Sequence, residues 1–506
     1  MSIDLCNIKF WTTEDGAARY LPNNYSNDLD FTKYESVTIT SLDTDCLAKK
    51  SADDKLKGVS SITANHLRIL SQTYTSSINA TDLFLAGGVE AQGENSTNID
   101  INITSNTGSI TVLGGGVYAF RNSKITGVGS MNTPTNSYYS SLKSCYTQAY
   151  SSNPPNEEKL SLCIGSIQGQ PTGGRISANN ATIGLGIEAN AGIVNLVQSI
   201  NDGNINSFCF LTNESTNYGK MTDVSILLNE SLNNGIINGP LAIFGGGLNR
   251  GLSFAGKSVF EGGENSLMGL VIGESVFLGG ANKGICSGNS FLYGGGSNEG
   301  RIIGNVVISG GTNKGFISGN VTLNDGRILN TSSIIGSVTA NFTKEIAGVI
   351  FGSLVATSSI INFTYISGNT ILNHCPFVST IIGPTNINAT DSTLQQVDVS
   401  GESCSFTRSS VGGGLLEMSS VNFIGASGNI QTNGAEIRGQ QSSFVFSSNL
   451  AVISGDASFA NCSFNYGRIT GNASFDNTSY NFGTVDGECS GPGCLPGDTY
   501  DESLCA

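Results

Sequence analysis

The apolar residues of this chain fall into columns. Between residues 241 and 488 an apolar-x-Gly triplet recurs, with glycines at Gly256, Gly273, Gly288, Gly304, Gly319, Gly336, Gly352, Gly368 and Gly383, spaced 15 to 17 residues apart. The register loosens through Gly401 and the Gly412–Gly414 run, then returns at Gly439, Gly455, Gly471 and Gly487, each 16 residues after the last. Two positions before the glycine stand Val271, Cys286, Ile302, Ile317, Ile334, Ile350, Ile366, Ile453 and Ile469. Four positions after it stand Phe260, Phe277, Leu292, Ile308, Leu323, Phe459 and Phe475, and two after it stand Ser258, Val306, Val321 and Val338. These positions share parity, so on an extended chain they point to one face. The position directly after the glycine, filled by Lys257, Glu274, Asn305, Asn320, Asn369 and Asp456, is polar. The pattern predicts a β-strand repeated once per period.

A second mark, Asn-x-Gly, falls half a period away, at Asn249, Asn282, Asn298, Asn313, Asn465 and Asn481. Asn and Gly accept positive φ, so each is read as a corner where the chain turns. Two short strands and two corners then make one coil, and stacking identical coils sets like residues over like. A β-sandwich alternates strand direction and would not hold five columns in phase over so long a stretch. The expected fold is therefore all-β, a parallel β-solenoid (β-helix) with coils of ~16 residues. The recurring glycines and Asn282, Asn298 and Asn313 are its structural residues.

The same columns divide the chain. Residues 1–55, with the single Trp11 and the acids Asp28 and Asp30, read as a small N-terminal attachment or capping segment. Residues 56–240 read as an irregular β-helix with insertions, since LFLAGG at Leu83–Gly88 and TVLGGG at Thr111–Gly116 are like the later IFGGG at Ile243–Gly247. The polar stretch Asn132–Glu158, with Pro154 and Pro155, is read as an insertion. Residues 241–488 form the regular short-coil solenoid, and 489–506 a Cys/Gly/Pro cap that blocks the open edge of the last coil.

Composition narrows the partners. Lys plus Arg number 24 against 39 Asp plus Glu, a formal charge of −15, so the chain repels a phosphate backbone and nucleic acid is not expected. The most apolar stretch, Ile346–Ala356, is broken by Gly348 and Gly352 and is too short to span a bilayer, so no membrane insertion is expected. The N-terminus lacks the basic start and apolar run of a secretory signal, so either assembly in a cytoplasm or a trimmed sequence is expected, with Met1 favouring the first. The twelve cysteines include no zinc-type CxxC pairs and read mostly as buried small hydrophobes. The tail is the exception. There Cys489, Cys494 and Cys505 lie close enough for a disulfide staple in an oxidising environment.

Candidate chemistry is sparse. Gly251 to Ser258 satisfies the spacing of a phosphate-binding loop, but no helix follows and Gly256 belongs to the glycine column, so the match is set aside. The chain has two histidines, His66 and His374, and no GxSxG serine, so neither a Ser-His-Asp hydrolase nor a metal site is expected, and no cofactor is implied. Paired carboxylates are the remaining catalytic option, with Glu261 and Glu264 beside Glu299, or Asp398 with Glu402, as the candidates. Solvated surface charge is the simpler reading of each.

The block FANCSFNYGRITGNASFDNTSYNFGTVDGE, Phe459 to Glu488, resembles repeats of bacteriophage and other viral tail-fibre or tailspike proteins, a repeat-level likeness over roughly residues 245–320 and 439–488. The resemblance implies a virion structural protein, a tail fibre, tailspike or head fibre; the chain departs from enzymatic tailspikes in showing no assignable acid constellation, and its small coils suit a shaft, so a non-enzymatic one is expected. It implies an N-terminal segment attached to other virion proteins, a β-helical shaft, a homotrimer, and a distal end that contacts a host surface glycan or receptor. Two alternatives are a tailspike that cleaves polysaccharide through paired carboxylates and a secreted bacterial β-helical adhesin.

Overall fold

A strand with an apolar face repeated every coil is satisfied when its copy lies directly above it, and that is the arrangement found. A computed structural model of the chain describes residues 28–41, 193–425 and 431–494 continuously, together with separate strands between residues 9 and 190. From Val59 onward strands pair in parallel with their counterparts one coil away. Near the N-terminus Lys9–Thr12 pairs antiparallel with Ala18–Tyr20 and Ser36–Ser41, and the latter pairs in parallel with Val59–Ile69. The chain forms two compact units, Met1–Ser287 and Gly288–Ala506.

In the first unit regular coils run from Ile193, and each has three strands where two were expected. Sheet A contains Ile193–Val197, Phe208–Thr212, Ser225–Leu228, Leu241–Gly245, Lys257–Glu261 and Glu274–Leu278. Sheet B stacks two-residue strands from Ile200–Asn201 to Ala281–Asn282, and sheet C runs from Asn204–Ile205 to Ile285–Ser287. The sequence merged B and C because a two-residue strand has too few positions to show an alternation.

Inward columns make the core. Leu196, Leu211, Leu227, Phe244, Phe260 and Phe277 are stacked in register and fully buried. The rings of Phe244 and Phe260 lie 4.6 Å apart and those of Phe260 and Phe277 4.7 Å apart, nearly parallel. Sheet A of this unit is buried on its outer face too, where Phe210, Ile226, Ile243, Val259 and Val276 are at most 6% exposed. That explains why its strands read as continuous apolar runs (FCFL, LAIF) instead of alternating.

The second unit continues the scheme with the expected alternation: VTLN, VTAN and LVAT each bury their first and third residues. Ile302, Ile317, Ile334, Ile350 and Ile366 lie directly above one another and are all fully buried, as the columns require. Strands B and C fuse in Glu345–Phe351, Ile360–Ile366 and Phe377–Gly383. Farther on, Thr393–Thr407 runs through B, C and A, and C and A fuse in Gly414–Ile424, Glu436–Val445 and Val452–Ala460. Five phenylalanines, Phe406, Phe423, Phe444, Phe459 and Phe475, form an axial ring stack with spacings of 4.6 to 5.2 Å.

The glycine column marks one corner repeated. At Gly304 φ is 147°, and an added Cβ would strike the carbonyl of Gly288 in the coil below, with its carbon at 2.6 Å. Gly319, Gly336, Gly352 and Gly368 meet the preceding glycine of the column in the same way. The requirement is chiefly close approach of backbone to backbone.

The asparagines differ from expectation. Asn282, Asn298 and Asn313 do not adopt positive φ; they end sheet-B strands with side chains pointing inward and fully buried. In the first unit they belong to a ladder in which each Nδ2 donates to the next Oδ1: Asn201 to Asn217, 233, 249, 265 and 282, at 2.7 to 2.9 Å. The second unit repeats this from Asn298 to Asn313 and from Asn433 through Asn449 and Asn465 to Asn481. A primary amide carries both a donor and an acceptor, so a stack of them satisfies itself without water.

The left-handed corner lies elsewhere, between sheets A and B. It is occupied by Gln198, Asn213, Asn229, Gly246, Gly262 and Gly279 in the first unit, and by residues that include Gly310, Asp325, Phe342, Ser358, His374, Asp391 and Arg408 in the second, with φ of 47° to 73°. Just beyond it, a second inner ladder forms: the backbone N–H groups of Ser199, Thr343, Cys375, Ser392, Ser447 and Ser463 donate to the hydroxyl one coil on, at 3.0 to 3.1 Å.

Candidate functional site

The ladders fix the corners, and on one corner they hold a group of exposed aromatic rings. At the B–C corner the residue after each ladder asparagine faces solvent. In the last coils these residues are Leu450, Tyr466 and Phe482, which are 55%, 52% and 53% exposed. The rings of Tyr466 and Phe482 stack at 5.3 Å with planes 16° apart, and the buried Phe464 supports both at 6.3 and 6.1 Å. Asn465 fixes the turn under Tyr466: its Nδ2 donates to Gly467 O at 3.1 Å and its Oδ1 accepts from Gly467 N at 3.2 Å.

Charged hydrogen-bonding groups border these rings on sheet C. Val452, exposed, lies between Glu436 and Arg468. Arg468 donates from Nε and Nη2 to Asp486 Oδ2 at 3.0 and 2.6 Å, and Arg438 donates from Nε to Glu436 Oε1 at 2.8 Å. An apolar ledge beside carboxylates and guanidinium groups suits a ligand with both an apolar face and hydroxyls. The ledge was not found from the sequence. The position after the asparagine also holds Asn234, Arg250, Lys283, Glu299 and Lys314, and only the two consecutive aromatics set these coils apart.

The carboxylates proposed from sequence are placed otherwise. Glu264 pairs with Lys283 at 2.7 Å and Glu299 with Lys314 at 3.3 Å, both links between successive coils. Asp398 accepts from Gln396 Nε2 at 2.7 Å, Glu402 donates its backbone N–H to Asn386 Oδ1, and Glu261 is exposed at the end of a sheet-A strand. The lysine of the phosphate-loop match, Lys257, opens a sheet-A strand, nearly buried, and pairs with Glu274 at 2.9 Å. His374 Nε2 approaches Asp391 Oδ2 at 3.3 Å, and Arg408 grips the same carboxylate at 2.6 and 2.7 Å. That triplet is three successive copies of the left-handed corner, so its backbone conformation follows from the coil and not from a chemical task. Among the described residues no cluster of His, Cys, Asp or Glu is arranged for a metal ion, and no helix is long and apolar enough to cross a bilayer.

Cysteine chemistry separates into two groups. Cys489 and Cys494 form a disulfide in the cap, and Cys462 is also disulfide-bonded, where a buried thiol was expected; Cys505 lies outside the described residues. Cys209, Cys286, Cys375 and Cys404 are free and buried. Burial pushes the thiols of Cys286 and Cys404 up to about 12 and raises those of Cys209 and Cys375, which leaves them poor nucleophiles. The chain matches no protein-family model, no curated protein and no solved structure.

Proposed function

We propose that this chain is a non-enzymatic β-helical shaft protein of a virion, a tail fibre, tailspike or head fibre, that attaches to a host surface through a glycan. The observation that carries the reading is the aromatic ledge of Tyr466 and Phe482, held rigid by the asparagine ladder and bordered by Arg468 and Asp486. The ion pairs that tie Glu264 and Glu299 to neighbouring coils favour binding over cleavage by those acids. The oxidised cysteines of the last coils suit a protein that works outside cells. They equally favour the second reading, a secreted β-helical adhesin.

The test is titration of the purified chain with capsular, O-antigen and exopolysaccharides, followed by an assay for new reducing ends. Expected are saturable binding, its loss in Tyr466→Ala/Phe482→Ala, and no cleavage. Binding unaffected by the double substitution would refute the site, and new reducing ends would replace the reading with a depolymerase. Mass spectrometry of purified virions against cell-surface fractions separates fibre from adhesin.

A further inference from the structure

One coil of the first unit carries an insertion at its B–C corner. Asn265 and Gly269 are separated by three residues, where Asn249 and Gly251, or Asn282 and Gly284, are separated by one. The backbone N–H of Gly269 donates to Ser266 O at 2.8 Å and closes a β-turn whose two central residues are Leu267 and Met268. Gly, Pro, Asn, Asp and Ser dominate such turns. Both apolar side chains are 82% exposed, more than any other large apolar residue among the described residues. They stand beside more apolar surface: on sheet C, Ile236, Phe254, Ile272 and Ile285 are 36% to 41% exposed. Cations border this plane. Arg250 and Lys283 occupy the same corner one coil, about 4.8 Å, before and after the turn, and Lys220 lies next to Ile236 in its column. Lys283 shares its charge with Glu264 on sheet B, at 2.7 Å. The exposed acids of these coils, Glu214, Glu230 and Glu261, fall at the A–B corner, which in a three-sided coil is opposite sheet C.

We infer that this face docks on a lipid bilayer with anionic headgroups, the Leu267–Met268 turn entering the acyl boundary while Arg250, Lys220 and Lys283 reach the phosphates. Shape and charge together select that occupant. A convex apolar tip needs a partner that yields around it, and the boundary between headgroups and acyl chains does so. Lysine and arginine stems lie along apolar surface and keep their charges in the headgroup layer, each adding attraction to an anionic leaflet. Beyond a screening length of about 8 Å charges count little, so the cations beside the tip weigh more than the formal charge of −15 of the whole chain. Docking of this kind is peripheral and uses no spanning segment. It is separate from glycan binding at the ledge, which involves other residues.

The test is flotation of the full chain with vesicles of phosphatidylcholine, alone or mixed with phosphatidylglycerol. The wild-type chain is expected to float with the mixed vesicles and more weakly with the neutral ones. Leu267→Ser/Met268→Ser is expected to lower the partition coefficient about 100-fold with an unchanged circular-dichroism spectrum, since two large apolar side chains no longer leave water. Lys220→Gln/Arg250→Gln is expected to abolish the preference for the mixed vesicles. Phe342→Asn removes an equally prominent ring of the second unit, 70% exposed, and is expected to leave flotation intact. If the turn variant does not fold, Met268→Cys carrying an environment-sensitive dye, read against the wild-type chain treated in the same way, is expected to shift its emission to the blue on vesicle addition. A wild-type chain that floats with neither vesicle, a turn variant that floats as well as the wild type, a Phe342→Asn chain that loses flotation equally, a lysine–arginine variant that keeps the lipid preference, or a dye that does not shift would each overturn the inference. Failure on vesicles with turn-dependent binding to a purified host-surface protein would assign the tip to a protein pocket instead.

Discussion

Asn449 offers the sharpest test of what holds the coils together. It is fully buried and makes four hydrogen bonds: it accepts from Asn433 Nδ2 at 2.9 Å and from Ala451 N at 3.3 Å, and donates to Ala451 O and to Asn465 Oδ1, both at 2.8 Å. Asn449→Ala removes all four. Its neighbours keep one partner each, since Asn433 Nδ2 still reaches Ala435 O and Asn465 Oδ1 still accepts from Gly467 N. At about 1 kcal/mol per bond the loss is roughly 4 kcal/mol, a large share of the 5–15 kcal/mol that stabilises a typical domain. Asn449→Asp separates hydrogen bonding from volume. An ionised carboxylate would accept from Asn433 and Ala451 N but face the oxygens of Asn465 and Ala451 with no donor, so burial and those oxygens raise its folded pKa above the unfolded value of about 3.9. A raised carboxyl pKa means that native-state stability is full below about pH 4 and is lost as pH rises through the folded value. Urea unfolding followed by far-UV circular dichroism, with slopes compared between variants, measures both effects. An Asn449→Ala loss below about 0.5 kcal/mol, or an Asp variant as stable at pH 7 as at pH 4, would show that the ladder is decoration.

Three further outcomes follow from the core and the corners. Phe444→Ala opens a cavity between Phe423 and Phe459, whose rings lie 5.2 and 4.8 Å away; the expected loss is about 3–5 kcal/mol in the same urea experiment, with about 1 kcal/mol more from the lost stacking. Cys209, Cys286, Cys375 and Cys404 should resist alkylation in the native chain and react on denaturation, read residue by residue by mass spectrometry; rapid native labelling of any of them would contradict their burial. The hydrogen bonds from Arg408, aided by its charge and that of His374, hold the Asp391 carboxyl below its usual range. The stabilisation is therefore present above about pH 4 and is lost as pH falls through the folded value. Arg408→Gln should lower the melting temperature slightly at neutral pH and leave it unchanged in acid, as thermal melts across pH would show.

The parts of this fold legible in sequence are those where one residue type alone can occupy a position. Gly304 and Gly319 stand in a column because any Cβ meets the backbone below, so the period survives in the letters. Phe260 and Phe277, or Phe459 and Phe475, repeat because rings in register stack face to face, although the same column also takes leucine at Leu227. Asn282, Asn298 and Asn313 were visible as a period, but their purpose was not, because a corner and an inward ladder leave the same spacing. The left-handed corner was invisible. Gly310, Asp325, Phe342 and His374 share a backbone conformation and no chemistry, since the corner turns each of them to solvent, where many side chains are tolerated. Tyr466 and Phe482 were hidden because an exposed position beside a ladder tolerates anything.

The ladder makes the layers interchangeable. The edge that Asn433 offers to Asn449 is the edge that Asn449 offers to Asn465 and Asn465 to Asn481, each with the same donor, acceptor and 16-residue step. Excising one whole period between Asn433 and Asn465, or duplicating it, would thus leave every remaining amide with the kind of neighbour it has now. A deletion of half a period would bring a corner over a strand. Copy number in this part of the chain can drift by recombination without any compensating substitution, carrying the exposed rings nearer to or farther from the preceding coils in steps of about 4.8 Å.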